Sequence, residues 1–271
     1  MAQQDHKPDE PNDRDELLYE RQDGIGWATF NRPKARNALT FAMYDRLAEI
    51  CRSAAGDPAL KVLVVTGAGD RAFAAGTDIS LFRDFSTEAD GLAYEERMET
   101  VLRDIENCPI PTIAAISGAC TGGGAAIAAV CDIRIATRSM RFGVPIARTL
   151  GNCLSAANLI RFSSLLGPAR TQELLLTARL IEAEEAHAIG LVSELVDTHE
   201  ALLAQARDLA GRLVTHAPLT MSITKEMFRR IRQSRPVVDD ADLIARSYTS
   251  EDFREGLDAF LSKRRPAWKG R

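Results

Sequence analysis

Two glycine-bearing stretches hold the residues whose types and spacing best suit chemistry. In KVLVVTGAGDRA, residues 61–72, the pattern Gly67-x-Gly69-x-x-Ala72 follows a β-branched run and meets the outline of a dinucleotide fingerprint. That fingerprint needs a helix beginning at its last position, so that the helix N-terminus faces a pyrophosphate. Here Phe73-Ala74-Ala75-Gly76-Thr77-Asp78 follows, with no helical pattern. In the second stretch, Gly122-Gly123-Gly124 stands between an uncharged strand-like run and an alanine-rich segment. The N–H groups that open a helix have no partner inside it and point at whatever lies above. Glycine lets a ligand approach the backbone with no Cβ in the way, although three adjacent glycines equally suit a plain tight turn. Taken as a pair, two strand-loop-helix edges that each offer backbone donors can converge on one oxygen, which is how an oxyanion is stabilised.

The elements that would position these loops alternate between strand and helix. Leu17 to Arg21 and Ile25 to Phe30 flank Asp23-Gly24 and predict a hairpin. Thr40 caps a predicted helix in which Phe41, Tyr44, Leu47, Ala48 and Cys51 recur at helical spacing, and Gly56-Asp57-Pro58 ends it. Lys61 to Thr66 reads as a strand buried on both faces, Thr87 to Glu106 as a charged surface helix and Thr112 to Ile116 as a strand. A small-residue helix at Ala125 to Val130 and a strand at Ile133 to Ala136 come next. Beyond Ser155 the periodicity is almost wholly helical: Ala156 to Leu166, Ala169 to Thr177, Glu182 to Ile189, one strand at Leu191 to Val196, then helices to Phe260. The expected organisation is a leader over residues 1–15, an α/β core over 16–200 and a helical C-terminal region over 201–271.

Composition removes several classes. A chain of 271 residues that is 45% hydrophobic and 27% charged can bury a large core, which excludes a small stapled module or general disorder. A net charge of -4 provides no global positive field for nucleic acid or an anionic membrane. The 22 uncharged residues from Ile110 to Cys131 are long enough to span a bilayer, but Pro111, Thr112, Ser117, Thr121 and four glycines argue for a buried strand and helix. Cys51, Cys108, Cys120, Cys131 and Cys153 are odd in number and contain no C-x-x-C pair, so they read as reduced thiols of a cytoplasmic protein, with no metal site. The first fifteen residues carry five acids, two bases and no apolar stretch, unlike a secretory signal.

Four segments then bear a resemblance: Asn31-Arg32-Pro33-Lys34-Ala35-Arg36-Asn37-Ala38-Leu39, Ala72-Phe73-Ala74-Ala75-Gly76-Thr77-Asp78-Ile79, Gly122-Gly123-Gly124 through Cys131-Asp132-Ile133, and Phe142-Gly143-Val144-Pro145. From about Leu17 to Lys269 the chain resembles the crotonase, or enoyl-CoA hydratase/isomerase, superfamily. The resemblance implies a spiral of ββα units with a helical trimerisation region, assembled as a homotrimer or dimer of trimers and acting on acyl-CoA thioesters. Coenzyme A then arrives as part of the substrate, with no permanently bound cofactor. The implied oxyanion hole consists of the backbone N–H groups of Thr77 and Gly123, with the Thr77 side chain incidental. Lys34, Arg36, Phe73, Ala74, Ala75 and Asp78 are the implied CoA contacts, and Phe260 and Lys263 resemble the pair that reaches a neighbouring subunit's CoA.

The chain also leaves that pattern. The two glutamates by which family hydratases activate water and deliver a proton are replaced by Ala126 and Ile146, and neither can move a proton. Arg148, Asn152, Cys153 and Ser155 are polar candidates near the acyl end, whereas Tyr94, Glu95, Glu96 and Glu99 read better as a solvated helix face. Three readings stay open: a CoA-thioester lyase or isomerase, a non-catalytic acyl-CoA binding protein, and a nicotinamide-dependent oxidoreductase.

Overall fold

The computed structural model describes residues 16–234 and 238–271, so the expected leader over 1–15 lies outside the described residues. In chain order the elements are β1 (Leu17–Gln22), β2 (Ile25–Phe30), α1 (Phe41–Ser53), β3 (Val62–Gly67), β4 (Ala72–Ala74), α2 (Glu88–Glu106), β5 (Thr112–Ile116), β6 (Ala119–Thr121) and α3 (Gly123–Val130). They continue through β7 (Ile133–Thr137), β8 (Arg141–Gly143), α4 (Ile146–Thr149), α5 (Ala156–Leu166), α6 (Pro168–Thr177), β9 (Ile181–Glu182), α7 (Ala183–Ala188) and β10 (Glu194–Val196). The last four are α8 (His199–Val214), α9 (Pro218–Gln233), α10 (Ala241–Tyr248) and α11 (Glu251–Leu261).

The chain climbs as a spiral between two sheets. A six-stranded sheet runs β1-β2-β3-β5-β7-β10 and a four-stranded sheet runs β4-β6-β8-β9. Three times a strand of the large sheet (β3, β5, β7) is followed within a few residues by a short strand of the small one (β4, β6, β8), and helix follows. The large sheet is parallel apart from the β1–β2 hairpin, whose turn places Asp23 and Gly24 at positive φ. Val62, Leu63, Val64 and Val65 of β3 are fully buried, as a strand covered on both faces must be. One face packs on α1, α2 and α3; the other receives α8, whose Leu202, Ala206 and Ala210 lie against Ile25, Val62, Val64 and Ile113. Burying Leu202 alone contributes about 1.5–3 kcal/mol, and the two alanines let the helix approach closely.

The ββα units implied by the resemblance call for a second strand in each unit, but periodicity did not place the strands of the small sheet. Strands of two or three residues are too short to show a period, and β4, β6 and β8 read as loop because each sits between a long strand and a glycine turn. Other boundaries moved: the helix expected from Ala125 begins at Gly123, the strand expected over Leu191–Val196 is confined to Glu194–Val196, and the helix expected over Glu182–Ile189 is Ala183–Ala188 preceded by β9. Among the described residues no helix is long and apolar enough to cross a membrane, all five cysteines are free, and no group of three potential ligands could hold a metal ion.

Candidate active site

The register of the small sheet explains why the two glycine loops meet. Strands β4 and β6 are parallel neighbours in which Ala72 pairs with Ala119 and Ala74 with Cys120. Thr77 and Gly123 each lie three residues beyond the second of those pairs, so they leave adjacent strands at the same end. Neighbouring strands run about 4.8 Å apart, a separation that lets two amides aim at one atom between them. The loops touch: a Cβ on Gly122 would lie 3.4 Å from the Cα of Gly76.

Each amide is oriented by its surroundings. Leu39 forms a parallel bridge with Thr77, in which Leu39 N–H donates to Gly76 O at 2.8 Å and Asp78 N–H to Leu39 O at 2.9 Å. Consecutive groups on extended backbone face opposite sides, so the Thr77 N–H points away from Leu39. Gly123 is the first residue of α3, where the N–H has no acceptor in its own helix and carries the positive end of the helix dipole. The preceding Gly122 has φ 54°, a left-handed conformation that favours glycine, and its N–H donates to Gly143 O at 3.0 Å. Among the described residues neither the Thr77 nor the Gly123 amide donates to a backbone acceptor.

Above these amides opens a cavity of about 720 Å³. Its walls include Tyr44, Met98, Leu102, Val144 and Leu150 together with Thr77 and Gly123. Ala126 and Ile146, the positions where the resemblance calls for glutamates, also border it and present only hydrocarbon. The Thr77 side chain proves to be engaged: its Oγ1 lies 2.9 Å from the Tyr44 hydroxyl and 3.0 Å from the Tyr94 hydroxyl. Burial pushes both tyrosines well above the usual phenol range, so they stay neutral and serve as hydrogen-bonding groups.

A second polar group on the wall escaped the sequence reading. Glu95 is 8% exposed and borders the cavity, contrary to its expected place on a solvated helix face. The Tyr248 hydroxyl donates to its Oε1 at 2.8 Å and in turn accepts from Asn152 Nδ2 at 3.1 Å. Burial pushes the Glu95 carboxyl up to about 7, against the opposing hydrogen bonds from Tyr248 and Ser155; the charges of Asp240 and Glu99 push the same way as burial. The signal for Glu95 was present in α2, where Gly91, Glu95, Met98, Leu102 and Ile105 are all buried and recur at helical spacing on one face. The neighbours Glu96 and Arg97 do point to solvent.

The remaining candidates divide. Arg36, Ala75, Asp78 and Phe260 border the cavity, as do Asn152 and Cys153. Asp78 is committed elsewhere: it accepts from Arg32 Nη1 at 2.9 Å and from the Ser80 hydroxyl at 2.7 Å. Burial opposes its ionisation, but those bonds outweigh it and hold the carboxyl below the usual range. Phe73 and Ala74, expected as CoA contacts, have fully buried side chains, and Phe73 packs edge-on against Phe30 at 5.4 Å. Their side chains belong to the core. Lys34, Arg148 and Lys263 are exposed and do not border the cavity. Phe260 borders its own chain's cavity, where the expectation was a neighbouring subunit's. Burial raises the Cys153 thiol, which disfavours the nucleophilic thiolate. The stretch after Gly69 runs into β4, so the dinucleotide reading lacks the helix it requires.

Comparison with known proteins places the chain in a family. The enoyl-CoA hydratase/isomerase family profile matches residues 20–271. Crotonyl-CoA hydratase of Syntrophomonas wolfei subsp. wolfei is 33% identical over 252 residues, covering 92% of this chain and 96% of that protein. The crystal structure of an enoyl-CoA hydratase/carnithine racemase from Magnetospirillum magneticum superposes with TM-score 0.76 at 35% identity, covering 95% of this chain and 96% of that one. Methylmalonyl-CoA decarboxylase in complex with 2-nitronate-propionyl-CoA superposes with TM-score 0.84 at 26% identity, covering 94% and 98%. The fold is the crotonase fold, and the chain belongs to the enoyl-CoA hydratase/isomerase family of acyl-CoA enzymes.

Proposed function

We propose that the protein binds an acyl-CoA thioester with its carbonyl oxygen between the Thr77 and Gly123 amides and stabilises the enolate formed when charge moves onto that oxygen. The observation that supports this reading is the parallel pairing of β4 with β6, shifted by a bulge between Ala72 and Ala74, after which Thr77 and Gly123 each lie three residues beyond the Ala74–Cys120 pair. A single such donor contributes ~2.7–4 kcal/mol in a transition state. Arg36 at the cavity rim supplies charge for the CoA phosphates, and Ala75 and Phe260 border the thioester's path. The apolar walls favour a hydrocarbon acyl group. Neither Ala126 nor Ile146 can activate water, so the two-glutamate hydration of the family is not the mechanism.

A non-catalytic acyl-CoA binding protein is the second reading, favoured by hydrocarbon at both glutamate positions. Incubation with crotonyl-CoA and with branched, aromatic and malonyl-type thioesters separates the two: turnover of any one removes the binding-only reading. Failure of every thioester to bind or to raise the melting temperature removes both.

The fold also supports a homotrimer or dimer of trimers. Along α9, Leu219, Ile223, Met227, Phe228 and Ile231 are exposed, an apolar stripe that a second copy would cover. Light scattering on the full chain tests this, and a monomer at micromolar concentration contradicts it.

A further inference from the structure

We propose that Glu95 is the catalytic acid/base of this site, transferring a proton to and from the carbon next to the thioester carbonyl, with Tyr248 as its positioning residue. The inference rests on the acyl-CoA reading above. Its basis is geometric. Among the residues that border the cavity the only carboxylates are Asp78 and Glu95, and Asp78 is tied to Arg32 and Ser80. Glu95 is buried, and its carboxyl accepts from the Tyr248 hydroxyl at Oε1 and from Ser155, two bonds against the roughly four lone-pair sites of a carboxylate, so acceptor capacity is left for a substrate proton. Asn152 continues the cluster: its amide Nδ2 holds the Tyr248 hydroxyl, and its buried Oδ1 has no partner among the described residues. Asn152 is itself one of the residues that border the cavity, so the cluster of Glu95, Tyr248 and Asn152 reaches its wall.

The step balances as follows. The Glu95 carboxylate takes the α-proton, the C–H electron pair becomes the enolate double bond, and the thioester oxygen takes the negative charge under the Thr77 and Gly123 amides. Return of the proton from the neutral carboxyl reverses the step. A carboxyl pushed up to about 7 is present in both forms near neutrality, which suits a group that must take and give. One such group meets the needs of a proton shift along the acyl chain or of protonating an enolate, without a second uncommitted acid among the described residues of the cavity wall. The titratable groups around it are Tyr94 and Glu99 on its own helix, Tyr44 on α1, Cys153 after α4, and Asp240 and Tyr248 at the two ends of α10, with Glu99 neutralised by Arg161 at 2.9 Å.

Butyryl-CoA in D2O supplies the test, because α-deuteration read by mass spectrometry reports the proton transfer alone. The full-length protein is expected to deuterate it, and E95Q to do so about 10²–10⁴-fold more slowly with an affinity for butyryl-CoA within threefold of wild type. Y248F is expected to move the pH midpoint of exchange upward, since the lost hydrogen bond favoured the carboxylate, an effect a purely structural tyrosine would not produce. Wild-type exchange rates in folded E95Q overturn the proposal, as does a wild-type protein that binds butyryl-CoA without exchange. Absence of binding by the wild type overturns the acyl-CoA reading itself, a separate result from intact binding with exchange that ignores Glu95.

Discussion

A Cβ added to Gly123 would lie 1.8 Å from the hydroxyl oxygen of Tyr44. The glycine at the head of α3 is therefore required by a close approach, and the approaching group is the tyrosine that also holds Thr77 through a 2.9 Å hydroxyl contact. The two residues assigned to the oxyanion hole are coupled through one buried phenol.

That coupling predicts a rescue. G123A keeps the amide but displaces Tyr44, and a shift of about 1 Å in the site lowers turnover on the order of 10²-fold. Y44F removes the clashing oxygen, so the double variant G123A/Y44F should turn over faster than G123A alone. Equal rates for G123A and wild type would contradict the assignment.

The loops were legible in the sequence because their cues are local. Asp23-Gly24 signals its hairpin, and Thr40 caps α1 by accepting from Met43 N–H. Gly122 to Gly124 marks a helix start wherever the rest of the chain lies. Glu95 shares a face of α2 with Gly91, Met98, Leu102 and Ile105, but a carboxylate on a charged helix reads as solvated until its partner is known, and that partner, Tyr248, is 153 residues away. Phe73 and Ala74 stand next to cavity residues in sequence, but in β4 their side chains are buried, and of this stretch the residues from Ala75 onward border the cavity.

The Thr77 hydroxyl predicts a separation of stability from chemistry. T77V leaves the Tyr44 and Tyr94 hydroxyls without their shared partner and is expected to cost about 1–3 kcal/mol, read as a lower denaturant midpoint. Its backbone amide remains, so turnover by the folded variant should fall much less than in G123A. T77S should restore the stability. A T77V protein as stable as wild type would show that the hydroxyl contacts contribute nothing.

The Glu95 carboxyl gives the fold a pH dependence of definite sign. Its folded value of about 7 exceeds the unfolded value near 4.5, so its contribution is fully present below about pH 4.5 and is lost as pH rises through 7. The shift corresponds to ~3 kcal/mol between those limits. E95Q abolishes this term, so denaturant unfolding should show wild type losing more stability than E95Q between pH 5 and pH 8.5. Parallel stability curves for the two proteins would contradict the buried, shifted carboxyl.

Isotope-edited infrared spectroscopy of a ¹³C=O-labelled acyl-CoA reads the thioester oxygen itself. Two amides gripping it should draw electron density toward oxygen and lower the carbonyl stretch relative to free acyl-CoA in water, and G123P should return more of that shift than G123A, which brings the same Cβ against Tyr44 but keeps the N–H. A bound thioester whose carbonyl frequency equals that of the free compound would contradict the oxyanion hole of Thr77 and Gly123.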